Sequence, residues 1–503
     1  MRKPRLIYDN DARHYLTYRY DPPLSVHRLR QPVDEILGTS VDTLFYGFVS
    51  QQTYPHPAKT GLYWLWDRSE RSQVMWWRAG ENLKQTLESG HDPLRIVAER
   101  AHEHGIQVLS WLFWEPEDSD KPDAAPYSNH ADPEVRRRRL ETIEETCAGY
   151  DFDGIGLNYY VPPVVFSAEV PRAVRVPKNA PALTAFVREV RVLLDRIGKK
   201  RKRRLMLAAQ IHASEQANID AGLEIGTWLS EKLVDLVIPK QPHPNDKRQS
   251  ALFDTNPCLD WLVEATHATG AWLYAPIANS LYDDRHPATT VEMYRAAATN
   301  LRASRVDGLY LSGLTWPHTA NEYQVLRELG YPDVYARRTK HYVLGQRSAE
   351  PGPYAQGRQL PITLQQAVPA VISIYVGDGL DEARVDGELR RVTLGIRILQ
   401  VCSNDALAFR FNGRQLSVEQ ARAKWIYGGS VSYAAQRGGL PLRITSYLWY
   451  DFDVPLDAVR IGANELTVTA EHLDRDMSAE RVLHAVELQV FYEEPSVPQG
   501  AQM

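Results

Sequence analysis

The chain has 503 residues, 44% hydrophobic and 24% charged, with a formal net charge of −5. It is long enough for two or three domains with large cores, and so small a net charge gives no general case for nucleic-acid or membrane binding. Three cysteines, Cys147, Cys258 and Cys402, are too few and too scattered for a disulfide framework or a zinc cluster.

The start, Met1-Arg2-Lys3-Pro4-Arg5-Leu6, carries no apolar run of signal-peptide length, and no apolar stretch of about 18 residues follows. A cytoplasmic location is the default expectation. Short apolar runs then recur at 6–8, 43–48, 107–114, 154–160, 205–212, 234–239, 271–277 and 308–314, each close to a polar or aromatic end. Amphipathic helical stretches lie between most of them. The helix over 92–105 carries Leu94, Ile96, Val97 and Ala101 on one side and stops at glycine. Asp132-Pro133-Glu134 is an N-cap, a first-turn proline and a first-turn acid. Its helix turns Val135, Leu140, Ile143 and Cys147 inward, and decorates its exposed side with Arg136 to Arg139. Further helices are predicted over 182–197, from Asn256-Pro257 through Ala268, and over 289–303. Cys147 and Cys258 therefore read as core thiols. The basic run Lys199-Lys200-Arg201-Lys202-Arg203-Arg204 reads as a solvated loop at the amino-terminal face.

Strand–helix alternation on this scale predicts a parallel (β/α)8 TIM barrel over 1–346. An open doubly wound sheet is the alternative, weakened because no G-x-G-x-x-G follows any strand. Composition shifts at Arg347-Ser348-Ala349-Glu350-Pro351-Gly352-Pro353, so 347–359 reads as a linker. Alternating strands at 370–376, 391–399, 406–411, 445–452, 464–470 and 484–492 then predict an antiparallel β-sandwich, jelly-roll-like, over 360–495. Asn412-Gly413 is a hairpin turn, and 496–503 is a frayed tail. The sandwich reads as a structural or homo-oligomer-forming module.

The stretch Tyr150-Asp151-Phe152-Asp153-Gly154-Ile155-Gly156-Leu157-Asn158-Tyr159-Tyr160 is the fourth strand. Gly156 admits a bulky neighbour, and Asn158 and Tyr160 point the same way at period two. The carboxyl ends of barrel strands form the active-site mouth. Further short segments of note are Tyr8-Asp9-Asn10-Asp11, His102-Glu103-His104-Gly105, Asp153-Gly154-Ile155, Gly222-Leu223-Glu224-Ile225-Gly226, Val234-Asp235-Leu236 and Val306-Asp307-Gly308. In this order they resemble the glycosyl-hydrolase-like barrels of environmental bacteria, of the glycosyl hydrolase-like family ten type. The resemblance implies a carbohydrate substrate. In such relatives the Asp-Gly-Ile strand continues Glu-Leu-Asp-Phe, and chitinase-like barrels have a similar acidic strand end. Here those positions are Gly156 and Asn158, so the usual nucleophile is replaced by an amide that can still hydrogen-bond a hydroxyl or acetamido group.

Other strand ends offer acids. Glu115 is the acid/base candidate, because Trp111, Phe113 and the substrate-binding candidate Trp114 can desolvate it and raise its pKa. Asp9 and Asp11 follow the first strand, with Asp9 a ligand-binding and Asp11 a catalytic candidate; an Asx turn at Asp11 is the alternative. His212 is a candidate acid/base or a helix-capping histidine. Lys240 follows the sixth strand, and Trp316 and Glu322 follow the eighth, all as substrate-binding candidates beside Asn158 and Tyr160. No cluster has metal-ligand spacing, so neither metal nor cofactor is expected. The expected function is a glycoside hydrolase or related carbohydrate-active enzyme with a remodelled site. The alternatives are a silent carbohydrate-binding barrel, or a sugar isomerase or lyase using His212 or Lys240.

Overall fold

The computed structural model describes residues 1–12, 19–49, 53–54, 62–63, 73–113, 130–159, 172–239, 253–256, 258–279, 285–286, 288–345, 359–428 and 445–493. Eight parallel strands close a barrel: β1 (Leu6–Asn10), β2 (Thr43–Val49), β3 (Gln107–Phe113), β4 (Gly154–Asn158), β5 (Met206–Ile211), β6 (Leu236–Pro239), β7 (Trp272–Ile277) and β8 (Gly308–Leu311). They pair in chain order, and β1 closes on both β2 and β8. The barrel is thus the closed parallel form of the strand–helix alternation, not the open sheet. Its interior is filled by Ile7, Phe45, Leu109, Trp111, Met206, Ala208, Leu236, Ile238, Tyr274 and Tyr310, one set of alternate residues from each strand that contributes.

An aspartate recurs at the amino-terminal end of alternate strands. The residues just before β2, β4, β6 and β8 are Asp42, Asp153, Asp235 and Asp307. Each accepts from a backbone amide at the start of the preceding strand: Leu6 at 3.4 Å, and Val108, Leu207 and Leu273 each at 2.9 Å. These carboxylates satisfy donors that the barrel ladder leaves open. The basic run belongs to this end. Lys199, Lys200 and Arg201 form the last turn of the helix Arg172–Arg201. Arg203 Nη2 reaches Asp151 Oδ1 at 2.6 Å and Arg204 Nη2 reaches Asp235 Oδ1 at 2.9 Å. The expected solvated loop is therefore a clasp, because carboxylates before β4 and β6 lie within guanidinium reach.

The predicted caps at Asp92 and Asp132 form, each side chain accepting from first-turn amides. Three readings need correction. Arg139, expected on the exposed side, is buried on the same helix face as Val135 and Ile143. The helix expected from Asn256 starts at Asp260. Asn256 instead donates to Ser373 O and accepts from Tyr375 N, both at 2.9 Å, which holds it against a strand. Cys258, left outside that helix, is exposed, whereas Cys147 is buried.

Two antiparallel sheets form the sandwich. One runs β9 (Lys340–Val343), β18 (Val482–Tyr492), β12 (Leu389–Leu399), β16 (Thr445–Val454), β15 (Arg422–Gly428), with β10 (Ile362–Thr363) also on β18. The other runs β11 (Pro369–Val376), β17 (Gly462–His472), β13 (Ala406–Phe411), β14 (Arg414–Leu416). Ile372, Ile374, Phe409, Phe411, Leu466 and Val468 from one sheet and Leu394, Ile396, Leu448, Phe452 and Leu488 from the other share one core. Asn412 and Gly413, at φ 49° and 82°, make the β13–β14 turn.

The chain divides into two compact units, Met1–Gln241 with Leu259–Ile277 and Arg305–Gly330, and Pro242–Cys258 with Ala278–Ser304 and Tyr331–Met503. The first holds the barrel strands and the second both antiparallel sheets. No helix among the described residues is long and apolar enough to cross a membrane.

Candidate functional site

The mouth of the barrel is built on strand parity. Ile7 points inward on β1, so Asp9 follows it on the same face. Trp111 Nε1 donates to Asp9 Oδ1 at 3.0 Å, and the Tyr310 hydroxyl is hydrogen-bonded to the same carboxylate. Burial, then the Asp9 charge, pushes the Tyr310 phenol far above its ordinary value. It therefore remains a donor at neutral pH. Trp111 stacks on Phe45 with ring centroids 4.4 Å apart. This aromatic pair covers Gly156: a Cβ there would lie 2.2 Å from two Trp111 ring carbons and 3.1 Å from Phe45. Gly156 thus faces an indole.

One step further along β4 comes Asn158. It pairs in register with Gln210 of β5. Both lie on the inward parity of their strands, after Gly156 and Ala208 respectively. Both are 4% exposed. The Asn158 Oδ1 and the Gln210 Oε1 are fully enclosed, and neither has a hydrogen-bond partner among the described residues. Two such acceptors on adjacent strands, at the carboxyl end of a barrel, require an explanation beyond packing, since unsatisfied buried acceptors cost about 1–3 kcal/mol each. Gln210 was not singled out from sequence. Its cue was the same parity as His212, in a strand otherwise apolar up to that point.

The remaining predicted residues take varied places. His212 is buried just past β5, its backbone amide accepted by Asn218 Oδ1 at 2.9 Å. Asp11 is half-buried, and its charge helps to raise the buried Tyr46 phenol after the larger effect of burial. An Asx turn forms at its neighbour: Ala12 N donates to Asn10 Oδ1 at 2.9 Å. Trp316 lies beneath Arg19, whose guanidinium carbon is 4.4 Å from the ring centroid, and its Nε1 donates to Glu35 at 3.4 Å. Glu322 is buried and closes a capping box, accepting from Thr319 N at 2.8 Å and from the Thr319 hydroxyl at 2.5 Å. Its local role is to start the helix Ala320–Glu328. Trp114, Glu115, Tyr160 and Lys240 lie outside the described residues. The structure thus brings Asp9 on β1 and Asn158 on β4 to the inner face of the barrel, and it adds Trp111, Tyr310 and Gln210 to that face.

No protein-family model and no curated protein matches this chain. Solved structures do. Catalytic domain 2 of the group II chitinase of Ostrinia furnacalis is similar over 65% of this chain and 96% of that one, at 12% identity and a TM-score of 0.41. The chitinase-like agglutinin of Robinia pseudoacacia covers 65% of this chain and 99% of its own, at 10% identity and 0.37. The PgaB glycoside hydrolase domain of Bordetella bronchiseptica covers the same shares, 65% and 99%, at 12% identity and 0.38. Likeness at this level transfers no activity and no residue role. The barrel assignment rests on its own strand order, and the chemistry on its own side chains.

Proposed function

We propose that this is a glycoside-hydrolase-like barrel protein whose mouth binds carbohydrate, and that recognition is the task of the β4–β5 rim. The carrying observation is the Asn158–Gln210 pair, two buried amides in register whose carbonyl oxygens lack partners among the described residues. A primary amide offers two donors and one acceptor oxygen, a set that matches sugar hydroxyls and acetamido groups. It cannot act as an anionic nucleophile or stabilise an oxocarbenium ion as a carboxylate does. The Trp111 ring against Gly156 supports the same reading, because it fills the space of a side chain at that position. The two amides carry no charge, which favours an uncharged group of the glycan at this point.

Hydrolysis is the second reading, and Asp9 favours it. Its carboxylate lies on the inward face beside Trp111 and Tyr310. A glycosidase needs a second carboxyl about 5 Å away for retention or about 6.5–9.5 Å for inversion. Asp11 and Glu115 are the candidates.

Calorimetric titration with neutral and N-acetylated oligosaccharides separates the readings. Asn158→Ala and Gln210→Ala should each weaken binding several-fold to about tenfold, the value of one hydrogen bond of about 0.5–1.5 kcal/mol. Absence of binding to any glycan, or variants that bind as wild type does, would overturn the recognition site. Turnover of an aryl glycoside that disappears in Asp9→Asn would establish the second reading.

A further inference from the structure

Three side chains of the second unit converge away from the barrel mouth. His341 lies on β9 and Glu487 on β18. Val343 pairs with Glu487 and His341 with Gln489, so His341 and Glu487 are diagonal neighbours on one face of an antiparallel pair. His286 arrives from the segment before the helix Val291–Ala303. His341 Nε2 is 2.8 Å from Glu487 Oε2, and His286 Nε2 is 3.3 Å from the same oxygen. The imidazoles meet edge to face, with centroids 5.2 Å apart at 86°. One ligand atom from each of the three residues falls within 4.8 Å of the others. Bonds of about 2.0–2.2 Å in a tetrahedral zinc site place neighbouring ligand atoms roughly 3.3–3.5 Å apart. The two imidazole–carboxylate separations, 2.8 and 3.3 Å, fall at or below that spacing, and no pair of ligand atoms is more than 4.8 Å apart.

The surroundings suit ligation. Arg285 Nη1 stands 3.2 Å from the other carboxylate oxygen, Oε1, which turns Oε2 toward the imidazoles. The Glu487 and His341 side chains are 4% and 7% exposed, but that of His286 is 26% exposed, which leaves one side open to solvent.

We propose that His286, His341 and Glu487 form a binding site for a divalent transition ion, with Zn2+ the best match to two imidazoles and one carboxylate. Three protein ligands leave a fourth position for water or a small anionic ligand on the His286 side. The competing arrangement is a metal-free network in which both imidazoles donate to Glu487. In that case added metal has nothing to gain at this point.

The test uses the full chain without a histidine tag, stripped with a chelator and dialysed. Zn2+ is titrated calorimetrically, and Co2+ is added separately to read its visible absorption. The expected result is a saturable site, a raised thermal midpoint with Zn2+, and the intense bands of four-coordinate Co2+. His286→Ala, which changes a part-exposed side chain, should keep the circular dichroism of wild type and weaken Zn2+ binding by at least about 100-fold. His341→Ala should do the same. Wild type that shows no four-coordinate Co2+ spectrum would overturn the site, whether or not the variants fold. So would folded His286→Ala that binds Zn2+ as tightly as wild type.

Discussion

Gly156 shows how a single residue on β4 is fixed by its neighbours. The indole of Trp111 lies where a side chain would start, and the same indole donates to Asp9. Gly156→Ala must therefore displace a buried ring. The expected cost is about 1–3 kcal/mol, seen as a lower urea midpoint with an unchanged slope. A variant as stable as wild type would show that the stack yields freely. At the opposite end of the barrel, His102 Nε2 and Asp153 Oδ2 stand 2.9 Å apart. The hydrogen bond to Asp153 raises the His102 value above the ordinary one, against the opposing effect of burial. A raised histidine contributes stability that is complete below its unfolded value of about 6.5 and lost as pH climbs through the folded value. Burial would raise Asp153, but His102 and the Val108 amide lower it, so its contribution is present above about 3.9 and lost as pH falls. Denaturant midpoints should thus decline from about pH 6 to pH 8, and His102→Gln should flatten that decline. Parallel profiles for the two proteins would remove the pair from the account.

Among the elements, the alternate strands of the barrel share one device, an aspartate that accepts an amide from the strand before. Asp235 is its most connected case. It accepts from Leu207 N at 2.9 Å, Arg191 Nη1 at 3.0 Å and Arg204 Nε at 3.0 Å. Asp235→Ala leaves a buried amide and the buried Arg191 guanidinium with lost partners. The expected destabilisation is about 3–5 kcal/mol, the usual result of breaking a buried ion pair from one side. Chemical denaturation measures it, and a loss under about 1 kcal/mol would mean that solvent replaces the carboxylate. Sequence carried the elements themselves well. Continuous apolar runs marked the eight barrel strands, and alternation with Asn412-Gly413 marked the hairpin, because both signals depend only on residues a few positions apart. The start of the helix at Asp260 was not legible, because Asn256 is held by the backbone of β11, more than 100 residues later in the chain.

For the molecule as a whole, chain order and compact units differ. Pro242–Cys258 and Ala278–Ser304 belong to the same unit as Tyr331–Met503. Within that unit Asn300 Nδ2 donates to Tyr375 O at 2.8 Å, its Oδ1 accepts from Gly377 N at 2.7 Å, and Ala296 joins the sandwich core. Ending the protein at residue 346, the boundary that composition suggests, would strip these groups of their partners. A 1–346 fragment should therefore aggregate or melt well below the full chain by calorimetry, and an equally stable fragment would show that the boundary is autonomous.

The barrel, the antiparallel sheets and the carboxyl-end location of Asp9 and Asn158 are legible in the chain, since apolar periodicity, caps and turn residues act between near neighbours. Contacts across the fold are what put Trp111 over Gly156, Gln210 beside Asn158, and His286, His341 and Glu487 together. The physical reason is that strand order and register set which side chains share a space. Residues 45 or more positions apart leave no local trace of it.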